Sequence, residues 1–188
     1  MDHIIIFDTE TTGLDKPLTT PLPQQPFIIE FAAVKVTDDD DMEIIDEIEF
    51  KCKPPNKLSE DIKKFHKKNE MTGLSDEDLV KEKTFPFYYG ELIQFFFATK
   101  TMIAHNVGFD RSLLKFELMR MNKVLQFPWP TNHICTIEQT RSIKGDRLKL
   151  IDLYKYLFGS ELVQKHRAMD DVIQLTKICR ELRKRKLL

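Results

Sequence analysis

The sequence predicts an α/β protein: one mixed five-stranded sheet flanked by helices. Two observations carry that expectation. Three β-branched and aromatic runs fall within the first fifty residues, separated by turn-rich breaks. After them, helical stretches alternate with single short strands. A third observation sets the scale. The 188 residues suffice for one domain with a real core, and 1–188 reads as a single domain.

Ile4–Phe7 is apolar and β-branched, a strand. The stretch 15–26 holds four of the nine prolines, Pro17, Pro21, Pro23 and Pro26, and is an irregular loop. Phe27–Val36 and Glu43–Phe50 are the second and third strands. The Asp38–Asp41 turn between them reads as solvated and closes a hairpin. Beyond Pro54-Pro55, Leu58–Lys68 and Pro86–Ala98 are helical. Thr101–Ala104 is a short strand. Phe109–Met121 follows as a helix, with Leu113, Leu114, Leu118 and Met121 spaced by three and four. Ile134–Thr136 is a last short strand, and Leu148–Phe158 and Ala168–Leu187 complete the helices. The aromatics Phe85, Phe87, Tyr88, Tyr89, Phe95, Phe96 and Phe97 read as core rather than as a base-stacking platform.

Composition narrows the class. The chain is 41% hydrophobic and 31% charged, which argues against disorder. No apolar run reaches the roughly 18 residues of a membrane span, and nothing at the N-terminus reads as a signal peptide. Cys52, Cys135 and Cys179 are odd in number and far apart, without a CxxC pair, so a reducing, intracellular compartment fits. A net charge of −1 supplies no global attraction to nucleic acid. Local patches would have to provide it. The candidates are Lys63, Lys64, Lys67 and Lys68, and Arg141, Lys144, Arg147 and Lys149, each with a solvated helix face as the alternative. The basic end 180–188 suits a helix C-terminus by the dipole alone.

Three groups of carboxylates stand out. In "IIIFDTETTGL", Asp8 and Glu10 share a strand face if the strand runs that far, since residues two apart point the same way. Two carboxylates that close need water or a hard cation such as Mg²⁺ or Mn²⁺. The alternative is an Asx-type turn with a solvated Glu. In "TMIAHNVGFDRSLL", Asp110 stands near a helix start, where it either joins such a site or simply caps the helix. In "HRAMDDVIQL", helix geometry separates Asp170 from Asp171. Ala168, Val172, Leu175, Cys179 and Leu182 form one stripe, and Asp171 lies roughly 50° from its centre at about 100° per residue. Asp171 therefore faces the sheet and Asp170 the solvent. His166 belongs to the loop just before that helix.

"FDTETTGL", "AHNVGFD" and "HRAMDD" resemble, in order, the three motifs of the DEDD exonucleases, in the branch with a histidine in the third motif. This family includes the DNA polymerase III proofreading subunit, RNase T, oligoribonuclease and the 3′ repair exonucleases. "FIIEFAAVKV" is similar to its second strand and "KLIDLYKYLFG" to its helix before the third motif. The resemblance implies a ribonuclease H-like fold and two divalent metal ions, Mg²⁺ or Mn²⁺, with Asp8, Glu10, Asp110 and Asp171 as ligands and His166 as general base. It implies 3′→5′ hydrolysis of nucleic-acid ends to nucleoside 5′-monophosphates, on single-stranded DNA or mismatched termini. A polymerase or another replication or repair protein is the implied partner. RNA ends are the alternative substrate, and a non-catalytic nucleic-acid- or subunit-binding module is the alternative of another class. Thr11 and Gly13 would bring backbone N–H groups to the terminal nucleotide, and Leu14 would wedge against its base. His105, Asn106 and Phe109 would line the nucleotide pocket. Two departures stand out. The Pro-rich loop is longer than the compact family pattern and reads as a stiff lip beside the site. The family's "HGIT"-like segment is matched only distantly, by "FHKKNEMTG".

Overall fold

The computed structural model describes residues 2–188 apart from 70, 72, 146, 164 and 165, together with all but two side chains (142 and 144) of one helix. Two residues of the "FHKKNEMTG" segment and the Lys144 side chain therefore lie outside the described residues.

Five strands form one mixed sheet in the order β3-β2-β1-β4-β5. They are β1 (His3–Thr11), β2 (Ile28–Thr37), β3 (Ile44–Lys51), β4 (Thr101–Ala104) and β5 (Asn132–Cys135). The first three form a meander, each antiparallel to the next. β4 pairs parallel to β1, and β5 parallel to β4. The apolar run of β1 follows from its central place, because both sheet faces are covered there. Ile5 and Phe7 point into a core shared with α3 (Tyr89–Phe96) and α4 (Val107–Arg120). Ile4 and Ile6 point the other way, into a core built on α6 (Leu150–Phe158) and α7 (Ala168–Lys184). A third, smaller cluster packs Ile29 of β2 under α1 (Glu60–Lys68) and the single-turn α2 (Asp76–Leu79).

Several elements differ from expectation. β1 continues through Asp8 and Glu10 to Thr11, where Phe7 was the expected end of the apolar stretch. Residues 85–88 form a 3-10 turn before α3 rather than part of it. Phe85, Phe95 and Phe96 are buried as expected, but Phe87 and Phe97 are exposed. α4 begins at Val107, and Asn106 turns the chain into it with a left-handed φ of 84°, a conformation that Asn tolerates better than most residues. Thr136 starts a helix, α5 (Thr136–Lys144), and does not end a strand. That helix is short and largely polar, so its apolar period is faint.

The four-Asp turn is more than a solvated turn. Asp39 accepts from the Thr37 hydroxyl and from the N–H groups of Asp41 and Met42. Arg183 donates to Asp38 at 2.6 Å and to the Asp39 carbonyl at 2.8 Å, while Arg180 donates to the Met42 carbonyl at 2.9 Å. The basic end of α7 thus ties the helix to the β2–β3 turn, a role beyond the helix dipole.

Candidate metal centre and nuclease site

β4 ends at Ala104, but β1 continues past it. The edge of β1 freed in this way has backbone donors that need partners. Asp110, from the first turns of α4, supplies one. Its Oδ1 accepts the Thr9 N–H at 3.1 Å and the Thr9 hydroxyl at 2.8 Å. Asp110 does not cap α4, the alternative open at the sequence level. It is 2% exposed and bound to the strand instead.

On the opposite face of β1, Asp8 and Glu10 point toward α7. One carboxylate oxygen from each of Asp8, Glu10 and Asp171 falls in a set with all members within 4.8 Å of one another. Asp171 is buried, as the helical stripe predicts, and Asp170 is less so. Asp110 stands outside that closest set, yet its charge reaches Asp8. Burial pushes the Asp8 carboxyl well above the usual carboxylate range, and Asp110, Glu10 and Asp171 add to this in that order. Glu10 is pushed up by burial, then by Asp171. Burial lifts Asp110 to about 7 against the opposing pull of its Thr9 bonds. Several carboxylates raised together in one place form a site short of positive charge. Hard oxygen donors on two rigid elements suit a divalent cation, so the residues present fit a metal.

Glu30 was not singled out in the sequence, yet it organises this site. It lies on β2 directly opposite Glu10 and has no exposed surface. Arg167 donates to its two oxygens through Nε at 2.9 and 3.0 Å, and the Ala168 N–H donates at 3.1 Å. The buried carboxylate thereby pins the first residue of α7 to the sheet and sets where Asp171 enters. Its only sequence signal is a glutamate in the apolar first part of β2, with an arginine beside the third-motif histidine.

His166 sits just before α7, as expected, with a left-handed φ of 49°. Its ring packs edge-on against Phe65 of α1, with centroids 5.9 Å apart. Burial lowers its pKa.

The second-motif residues divide. Asn106 accepts from Arg147 at 3.1 Å, and Phe109 packs against the α3–α4 core. His105 is bonded within the protein through both ring nitrogens. Its Nδ1 lies 2.9 Å from the Thr136 hydroxyl and its Nε2 3.1 Å from the Leu148 carbonyl. A carbonyl only accepts, so Nε2 carries the proton and Nδ1 accepts from Thr136. Burial lowers the His105 pKa to about 4, which keeps that neutral tautomer in place.

The segment after Glu10 turns outward. The Thr11 hydroxyl donates to the Gly13 carbonyl at 2.6 Å, and Gly13 has a φ of 153°. Leu14 is 80% exposed, so core packing is not its role. Of the basic patches, Lys63 is paired with Glu60 and Asp76, whereas Arg141 and Arg147 both meet Glu138.

A three-stranded meander extended by two parallel strands, with acids gathered at the end of its central strand, defines a ribonuclease H-like α/β protein with a metal-type acidic centre. The chain belongs to the RNase T exonuclease family, whose model matches residues 5–179. It is 34% identical over 172 residues to the DNA polymerase III PolC-type protein of Staphylococcus haemolyticus, covering 89% of this chain and 10% of that one. It is 31% identical over 180 residues to the DNA polymerase III subunit epsilon of Rickettsia typhi, covering 93% of this chain and 71% of that one. The chain thus spans about a tenth of the PolC-type relatives' length. Among solved structures, the nuclease domain of 3′hExo, a DEDDh family member bound to rAMP, aligns with a TM-score of 0.71 at 19% identity. That alignment covers 98% of this chain and 92% of the other. No helix among the described residues is long and apolar enough to cross a membrane.

Proposed function

We propose that this chain is a metal-dependent 3′→5′ exonuclease that releases nucleoside 5′-monophosphates, with single-stranded DNA as its preferred substrate. The observation that carries this reading is the set of Asp8, Glu10 and Asp171 oxygens within 4.8 Å of one another, beside Asp110, in an exonuclease-family chain. Asp8, Glu10, Asp110 and Asp171 would hold two divalent ions, Mg²⁺ or Mn²⁺. Such ions supply a Lewis acid that acidifies the attacking water and offsets charge on the scissile phosphate.

His166 takes the proton of that water. A lowered pKa leaves its imidazole neutral near pH 7, the form that accepts a proton. The Thr11–Leu14 turn abuts the terminal nucleotide: Gly13 allows close backbone approach, and exposed Leu14 presents an apolar surface to the base. His105, Asn106 and Phe109 of the second motif line the nucleotide pocket in this reading, with the His105 ring held in place by Thr136 and the Leu148 carbonyl. The polymerase names of the relatives support a replication or repair partner and an intracellular setting, in keeping with three free cysteines. RNA ends are the second reading, favoured by the rAMP in the solved neighbour.

Matched DNA and RNA oligonucleotides, single- and double-stranded, with either end blocked, test the proposal in Mg²⁺. Loss of single nucleotides from free 3′ ends is expected, and a blocked 3′ end should protect. Degradation of the 3′-blocked strand would overturn the polarity. A chain that binds neither Mg²⁺ nor Mn²⁺ by titration would instead be a non-catalytic module. The His166→Ala variant should lose most activity; near-full retention would remove His166 from the mechanism.

A further inference from the structure

A second groove opens on the far side of the Thr12–Leu14 turn, between the Pro-rich loop and the segment leading into α1, with a volume of about 370 Å³. Its walls include Leu14, Lys16, Pro23, Phe27, Pro54 and Lys57. No aspartate or glutamate lines it among the described residues, although the chain carries thirty of them. The groove between β3 and α3 shows the opposite character, lined by Asp46, Glu47, Glu49 and Glu91.

The loop that makes one wall is locked in place. Gln25 is 2% exposed, and its side chain holds the Lys16 N–H and the carbonyls of Lys16 and Pro17 at 3.0 to 3.1 Å. Arg120 of α4 donates to the carbonyls of Leu22, Gln25 and Pro26 at 2.8 to 3.2 Å. Its guanidinium also lies 3.7 Å from the centre of the Phe27 ring. Glu117 in turn pairs with Arg120 at 3.1 Å. Lys16 and Lys57 are exposed, on opposite walls, and neither forms an ion pair among the described residues.

We infer that this groove is a binding channel for a single nucleic-acid strand, holding the nucleotides next to the one being removed. This deepens the exonuclease reading and rests on it. A preformed cleft with two cations outside any ion pair, walls of mixed apolar and uncharged polar side chains and no acid complements a polyanion bearing bases. It meets the proposed terminal-nucleotide site through the shared turn at Gly13 and Leu14, so one strand could occupy both.

The test uses the full chain and a 5′-fluorescein octathymidylate, with binding read by anisotropy in EDTA, where metal-dependent turnover is halted. The Lys16→Gln/Lys57→Gln variant should bind about tenfold more weakly. Two lost phosphate contacts should also lower the slope of log affinity against log salt by about 1.4. The control is Lys177→Gln/Lys184→Gln, the same charge change on α7. Equal binding by wild type and the groove variant would overturn the inference, as would equal weakening in the control or no binding by wild type. Hydrolysis is assayed separately with Mg²⁺ restored. Its absence beside groove-dependent binding would overturn the exonuclease reading and leave the channel standing.

Discussion

Thr9 presents both its backbone N–H, at 3.1 Å, and its hydroxyl, at 2.8 Å, to a single oxygen of Asp110. The strand that carries Asp8 and Glu10 is thereby joined to the helix that carries Asp110. Both bonds hold the Asp110 carboxyl down against burial. Thr9→Val removes the hydroxyl and keeps the shape. Its pH–rate profile should show an acid limb moved to higher pH and kcat reduced by about tenfold, the scale of a hydrogen bond to a charged group.

Glu30 and Arg167 form a buried pair at the start of α7. Glu30→Gln removes the buried carboxylate of the pair and leaves Arg167 the more exposed Glu49, 3.7 Å away; breaking a buried pair typically costs about 3–5 kcal/mol. Urea unfolding should show that loss. Mg²⁺ binding measured by titration should weaken with it, because Asp171 enters the site from the helix that Glu30 pins.

The metal-free protein should lose stability as pH rises. Asp8, Glu10 and Asp110 are all raised, the last to about 7. Raised carboxyls keep protons that the unfolded chain releases near pH 4. Their stabilising effect is complete below that pH and is lost as pH climbs toward about 7. Thermal melts in EDTA should therefore show Tm falling across this window. Added Mg²⁺ should raise Tm mainly at its upper end.

Phe65 is 46% exposed on α1, with its ring against His166. Phe65→Ala should lower kcat by about tenfold with little change in KM, since it frees the orientation of the proposed base. The ring-proton NMR signal of His166 should move when the aromatic neighbour is removed. Phe65→Tyr should restore both readouts.

His105 joins the start of α5 to the chain just ahead of α6 through both ring nitrogens. His105→Ala should therefore cost about 1–3 kcal/mol of stability by denaturant titration. KM for oligonucleotides should rise with it. An unchanged KM at lowered stability would remove His105 from the nucleotide pocket.

Much of the site was readable from local periodicity. A spacing of two puts Asp8 and Glu10 on one strand face, and a spacing near 3.6 turns Asp171 inward and Asp170 outward. β-branched and apolar runs located all five strands to within about four residues. Weak signals failed where no period existed: α5 has few apolar residues, and α2 is a single turn.

The sequence by itself determined what its local chemistry repeats: the strands and long helices, the acids that converge and the proline-rich lip. Tertiary structure alone decided which polar groups meet across the sheet. The pairing of β1 with a shorter β4 created the free edge that Asp110 satisfies. The β1–β2 register set Glu30 opposite Glu10, with Arg167 reaching it from 137 residues away. Packing of α4 beside the loop turned Arg120 into its lock. Long-range partners of this kind leave no periodic trace, because a buried polar group is satisfied by whichever donor the fold brings to it.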